Sequence, residues 1–189
     1  NDYLKKHGFK TLKDILESGK PVSIMMKPPG SNIPPAVEVI LQAHGSSREK
    51  IQSSGGRMIQ VDSSQMAGMI RDGRADVYFD TILQGHPTIQ EITLTGDVSF
   101  IDLSPESLAA LAQIGIVQGE IPKWFDVQTG ATIGGDYGTH LIAHKDLSED
   151  VAYTITKTVV EQMDKLAADF PAWKAFVREK AASPEKNGI

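Results

Sequence analysis

Residues 28–35 read Pro-Pro-Gly-Ser-Asn-Ile-Pro-Pro and lie between a short apolar run, Val22–Lys27, and an apolar stretch that begins at Ala36. Backbone N–H groups at a helix start lack intrahelical partners. Those that Pro34 and Pro35 leave free, around Gly30, Ser31, Asn32 and Ile33, can hold a carboxylate or phosphate together with the Ser31 and Asn32 side chains. The alternative is that Ser31 or Asn32 simply caps its own helix. The segment is not a nucleotide P-loop, because it lacks the Gly-Lys-Ser/Thr ending. A second candidate, residues 80–92 (DTILQGHPTIQEI), follows the run Ala75–Phe79. Ligands of parallel sheets bind beyond the carboxyl ends of the strands, and this loop leaves such an end. Gly85 permits close backbone approach, Gln84 and His86 offer hydrogen bonds, and Pro87 stiffens the turn into the next helix. Asp80 would repel a bound anion and suits a cationic or hydroxyl group better. The alternative makes Gly-His-Pro a plain turn with His86 in solvent.

Other chemistries find little support. The chain has no cysteine, which removes disulfides, thiolate nucleophiles and Cys-ligated zinc together. His140 and His144 have H-x-x-x-H spacing, but on an expected strand and with no HExxH motif. There is no G-x-S-x-G elbow and no recognisable order of Ser, His and Asp. No catalytic residue, metal ligand or cofactor is therefore assigned, and Met25, Met26, Met66 and Met69 read as core fillers.

The elements that must position these residues alternate between strand and helix. A helix is expected over Thr11–Ser18, strands over Val22–Lys27, Arg57–Val61 and Ala75–Phe79, and a buried helix over Pro34–His44. Asp62 with Gln65 reads as a capping box for a short helix ending at Gly73. Val98–Leu103 is expected to be a strand, followed by a helix opened by Ser104-Pro105. Residues 119–138 read as irregular, and Thr139–His144 as a returning strand. A long helix capped by Ser148 should bury Val151, Ile155, Val159, Met163, Leu166 and Phe170, and Pro171 should start a last helix. Strand, helix, strand in this order implies a parallel α/β sheet with right-handed crossovers. The 189 residues, 40% hydrophobic, suffice for one domain or for a lobe and part of another. A net charge of −5 gives no basic face for nucleic acid, and no apolar run approaches a membrane span.

Four segments together resemble a known family: PPGSN at 28–32, RDGRADVYF at 71–79, QGHPTIQEI at 84–92 and LSEDVAYTITK at 147–157. They are similar, in the same order, to motifs of the TAXI group (TRAP-associated extracytoplasmic immunogenic proteins), the solute receptors of one class of TRAP transporters. The likeness spans roughly residues 11–182. Asn32-Ile33 departs from the family's Gly-Thr, and Ile121-Pro122-Lys123-Trp124-Phe125 departs from its glycine- and tyrosine-rich segment. The resemblance implies a type II periplasmic-binding-protein fold, with a mainly parallel sheet covered by helices, as one lobe plus part of the second. Residues 11–125 would form the second lobe, and 126–189 the connection and return segment to an incomplete first lobe.

The implied function is binding, not catalysis. A periplasmic or extracytoplasmic receptor would hold a small anionic solute, an amino acid or dicarboxylate, in an interlobe cleft and deliver it to TRAP permease subunits in the membrane. Gly30, Ser31, Asn32, Ile33, Asp80, Gln84, Gly85 and His86 would be its ligand-binding residues. Both chain ends are expected to be cut, since Asn1 is not an initiator methionine and residues 182–189 read as a linker. Two alternatives stay open on the same architecture: the effector domain of a transcription regulator, and a transferase.

Overall fold

The computed structural model describes residues 2–136, 138, 140–170, 173, 174 and 176–181. The chain divides into two compact units, residues 1–137 and 138–189. The first runs α1 (Asp2–His7), α2 (Leu12–Glu17), β1 (Ser23–Met26), α3 (Ile33–Ala43), α4 (Arg48–Ser53), β2 (Arg57–Gln60), α5 (Ser63–Arg71) and β3 (Val77–Tyr78). It continues with α6 (Pro87–Thr95), α7 (Pro105–Ala112), β4 (Val117–Ile121) and β5 (Thr132–Asp136).

Strands β1, β2 and β3 form a parallel sheet in the order β2-β1-β3. Ile24 stands opposite Met58 and Val77, and Met25 opposite Ile59 and Tyr78. Successive strand side chains point to opposite faces, so the sheet has two apolar sides. Ile24 and Met26 pack with Leu12, Ile15 and Leu16 of α2, Val37 and Leu41 of α3, Ile51 of α4 and Leu111 of α7. Met25 packs on the other side with Met66 and Ala67 of α5 and Ile92 of α6. Burial on both faces explains why the strands read as continuous apolar runs without alternation. The chain steps from β1 to β2 through α3 and α4, then back past β1 to β3 through α5. Right-handed crossovers taken in opposite directions put their helices on opposite faces, which is the division the two clusters show.

The helix expected over Pro34–His44 is α3, displaced by one residue, with Pro34 and Pro35 in its first turn and Val37, Ile40 and Leu41 buried. Helix α5 starts after Asp62 as expected, but the Asp62 side chain makes no capping bond, so the box with Gln65 does not form. A full capping box does form at α2, between Thr11 and Asp14.

Two further expectations are corrected in this unit. Residues 98–103 are not a strand: the Asp102 carboxylate accepts the Ile133 N–H (2.8 Å), a donor that a ladder would need, and only Leu103 bonds to the Ile133 carbonyl (3.0 Å). Within 119–138, residues 119–121 and 132–136 are not irregular, because β4 and β5 pair antiparallel from Val117–Asp136 to Ile121–Thr132; Tyr137 lies outside the described residues. The buried Gln128 side chain organises their connection, accepting from the Trp124 and Phe125 N–H groups (3.0 and 3.1 Å) and donating to Thr132 Oγ1 (3.1 Å). Helices α1 and α4, which no expectation covered, carry too few apolar residues to show a helical period.

The second unit holds α8 (Glu149–Glu161) and α9 (Met163–Asp169), so the expected long helix breaks at Gln162. Ser148 occupies the N-cap position without a side-chain bond. Met163 is buried as expected, but α8 has no buried residue, and Val151, Ile155 and Phe170 are exposed. A helix buries its stripe only under a second layer, and the described residues of this unit provide none across α8. Residues 140–144 form no strand, and Leu141 and Ile142 are 75% and 88% exposed; Thr139 lies outside the described residues. Pro171 also lies outside them, and the described residues beyond it hold the 3-10 turn Arg178–Lys180 instead of an α-helix. Among the described residues, no helix is long and apolar enough to cross a membrane.

Candidate ligand site at the carboxyl edge of the parallel sheet

Adjacent parallel strands whose following connections turn to opposite faces leave a crevice between them, and ligands of open α/β sheets bind there. Strands β1 and β3 meet this condition. The loop after β1 leads to α3 on one face, and the loop after β3 leads to α6 on the other. Both sequence candidates, residues 28–33 and 80–86, therefore leave the same edge of neighbouring strands.

The first loop turns at Gly30, whose φ of +96° lies in the left-handed region that favours glycine. A Cβ there would meet nothing within 4 Å, so backbone conformation sets the requirement and crowding does not. Ser31 donates its hydroxyl to the Pro28 carbonyl (3.1 Å), and its N–H reaches the same oxygen at 3.4 Å. Asn32 occupies the N-cap of α3, but its side chain makes no capping bond. Neither residue therefore caps the helix with its side chain. Pro34 and Pro35 have no N–H, so the donors that the start of α3 directs outward come from Asn32 and Ile33. The Ile33 side chain itself is buried in the core.

In the second loop, Gln84 and Gly85 are exposed, and Gly85 has a φ of +77°. His86 occupies the N-cap of α6 without a side-chain cap, and its carbonyl accepts the Gln90 N–H (2.9 Å). Its Nδ1 is buried and has no hydrogen-bond partner. Asp80 is turned inward, with a side chain only 1% exposed. Its Oδ1 accepts from Lys27 Nζ (2.7 Å) and the Thr81 N–H (2.7 Å), and its Oδ2 accepts from the Tyr78 hydroxyl. Lys27 also approaches Thr81 Oγ1 (3.4 Å), and the Tyr78 hydroxyl lies 3.0 Å from the Met66 sulfur. Burial, then the hydrogen bond to Asp80 and its charge, pushes the Tyr78 hydroxyl well above its usual pKa.

Sequence reasoning missed Lys27, Tyr78 and Thr81. Their signal was the strand register. Continued past the end of the ladder, the alignment that sets Ile24 opposite Val77 brings Lys27 level with Asp80, and each follows apolar strand residues with a charge.

A second polar cluster has the order of a hydrolytic relay. His44 Nε2 lies 2.9 Å from Ser107 Oγ and 3.2 Å from Ser104 Oγ, and its Nδ1 lies 3.5 Å from Glu17 Oε1. Ser107 is fully buried, however, so its oxygen has no access to a substrate carbonyl; the cluster ties α2, α3 and α7 together. Two surface depressions, one beside Glu17 and His44 and one along β2, are not lined by either candidate loop.

The edge between β1 and β3 thus offers outward N–H groups, one lysine whose partner is buried, and two loops turned by glycine. That set suits holding an anion. A model of the NMT1-like family matches residues 3–186 of the chain. No curated protein matches it.

Proposed function

The chain belongs to the NMT1-like family, a periplasmic-binding-like family, and from that premise we propose that it is a receptor for a small carboxylate-bearing solute, held at the edge between β1 and β3. The observation that supports this reading is the divergence of the 28–33 and 80–86 loops from neighbouring strands. The positive end of the α3 dipole, the Asn32 and Ile33 N–H groups and the Lys27 ammonium all favour an anion on that edge. Amino acids and dicarboxylates fit such donors. On this reading the function is binding without covalent chemistry, which the N–H donors and the held cation at that edge support.

At finer grain, the proposal is an extracytoplasmic receptor of the TAXI type that hands its solute to the membrane permease subunits of a TRAP transporter. The motifs at 28–32, 71–79, 84–92 and 147–157 support that assignment.

A thermal-shift panel of amino acids and dicarboxylates, each paired with its amide, tests the reading. A ligand at about a hundred times its dissociation constant adds roughly 2.7 kcal/mol of stability, which a melt resolves. At least one carboxylate is expected to raise the melting temperature more than its amide does. No shift by any carboxylate, or equal shifts by the amides, would contradict the proposal.

A further inference from the structure

We infer that Lys27 is the residue that selects the solute's carboxylate, and that Asp80 is its positioning residue and does not contact the ligand; this rests on the receptor reading above. The asymmetry of the ion pair carries the argument. Asp80 is 1% exposed, and both of its oxygens are engaged, by Lys27 and the Thr81 N–H on one and the Tyr78 hydroxyl on the other. A solute would have to break these bonds to reach it. Lys27 is 23% exposed, and its three N–H donors face two described acceptors, Asp80 Oδ1 at 2.7 Å and Thr81 Oγ1 at 3.4 Å. One donor is left for a solute oxygen.

The charges balance in the same sense. Four donors share the Asp80 carboxylate, the Thr81 hydroxyl at 3.5 Å among them, whereas the Lys27 ammonium shares its charge with one anion. An approaching solute therefore meets the cationic end of the pair. Lys27 also directly precedes the 28–33 loop, so its ammonium and the Asn32 and Ile33 N–H groups belong to one continuous stretch of chain. Stability alone gives little reason for the pair, because buried ion pairs are commonly no more stabilising than apolar residues of similar volume. Placed at the end of an apolar strand, it makes sense as a held charge. Asp80 then fixes the ammonium, and Thr81 and Tyr78 hold Asp80 in place.

The experiment is calorimetry with succinate and glutamate on the wild type and on K27M/D80N, which removes both charges and leaves none buried alone. The double variant is expected to melt near the wild type, to bind roughly ten- to a hundredfold more weakly, and to lose the preference for succinate over succinamide. Unchanged affinity and preference in a folded double variant would overturn the inference while leaving the receptor reading intact. Should neither acid bind the wild type, the carboxylate with the largest shift in the thermal panel replaces them, and no shift by any carboxylate there removes the receptor reading and this inference with it. Should the double variant not fold, reductive methylation of the wild type read by mass spectrometry decides. Saturating succinate or glutamate is expected to protect Lys27 more than the other lysines, and equal labelling of Lys27 with and without solute would overturn the assignment.

Discussion

Tyr78 packs against the cluster that holds Met25, Met66 and Ile92, while its hydroxyl reaches the Asp80 carboxylate two residues on, beyond the end of β3. Its ionisation is disfavoured first by burial and then by that carboxylate. A raised pKa in a group that is neutral when protonated gives a definite sign. The stabilisation is complete below the ordinary value of 10.0 and is lost as pH rises towards the folded value. In an alkaline absorbance titration, Tyr78 is expected to stay protonated until the protein unfolds, with a smaller lag from Tyr3, which burial and Asp76 also raise, and Y78F to remove the most strongly lagging component. Y78F also leaves Asp80 Oδ2 without its donor, and a cost of about 1–3 kcal/mol in urea unfolding is expected. A normal titration of every tyrosine, or an unchanged urea midpoint for Y78F, would show that the hydroxyl does not hold Asp80. At this scale the sequence marked Asp80 as a site residue but could not show where its charge was spent, because that depends on a partner fifty-three positions away.

Helices α3 and α7 begin alike in sequence, with a polar residue before proline, but differently in structure. Ser104 accepts the Ser107 N–H at 3.2 Å and so caps α7. Beside it, the Glu106 carboxyl is held at about 2 by its own backbone N–H, the Ser104 hydroxyl and Lys13. Asn32 makes no such bond at α3. S104A is therefore expected to lower stability by about 1 kcal/mol and N32A by only a few tenths, as measured by urea unfolding. Equal losses would mean that Asn32 is an ordinary cap and that the start of α3 is closed to ligand. The elements most legible in the sequence were those with strong apolar patterns and hard boundaries, such as β1 between Pro21 and Pro28 and α3 behind its two prolines. The β4–β5 hairpin was not legible, because Gly119, Gly134 and Gly135 look like loop residues until strand pairing is known. Residues 98–103 misled in the opposite sense: their apolar alternation fits a strand, but Asp102 captures the Ile133 N–H that a ladder would use. The stripe on α8 was read as buried because periodicity reports a face, not whether another layer covers it.

At the scale of the whole parallel-sheet unit, the account rests on topology. Connections that leave β1 and β3 for opposite faces open one edge, and the residues on that edge offer donors and a held cation to an anion. Gly30 and Gly85 turn the two loops there with positive φ, which allows backbone N–H groups to approach a ligand without a side chain in between. The depression along β2 does not compete on these grounds, since it is lined by Arg57, Gln65 and Arg74 and belongs to a strand edge with no diverging loops. The most direct measurement is a backbone-amide NMR titration of the protein with the carboxylate that gives the largest thermal shift. The account predicts that the largest, saturable shifts fall on Gly30–Ile33 and Gln84–His86. Largest shifts along β2, or around Glu17 and His44, with both loops unmoved, would contradict it.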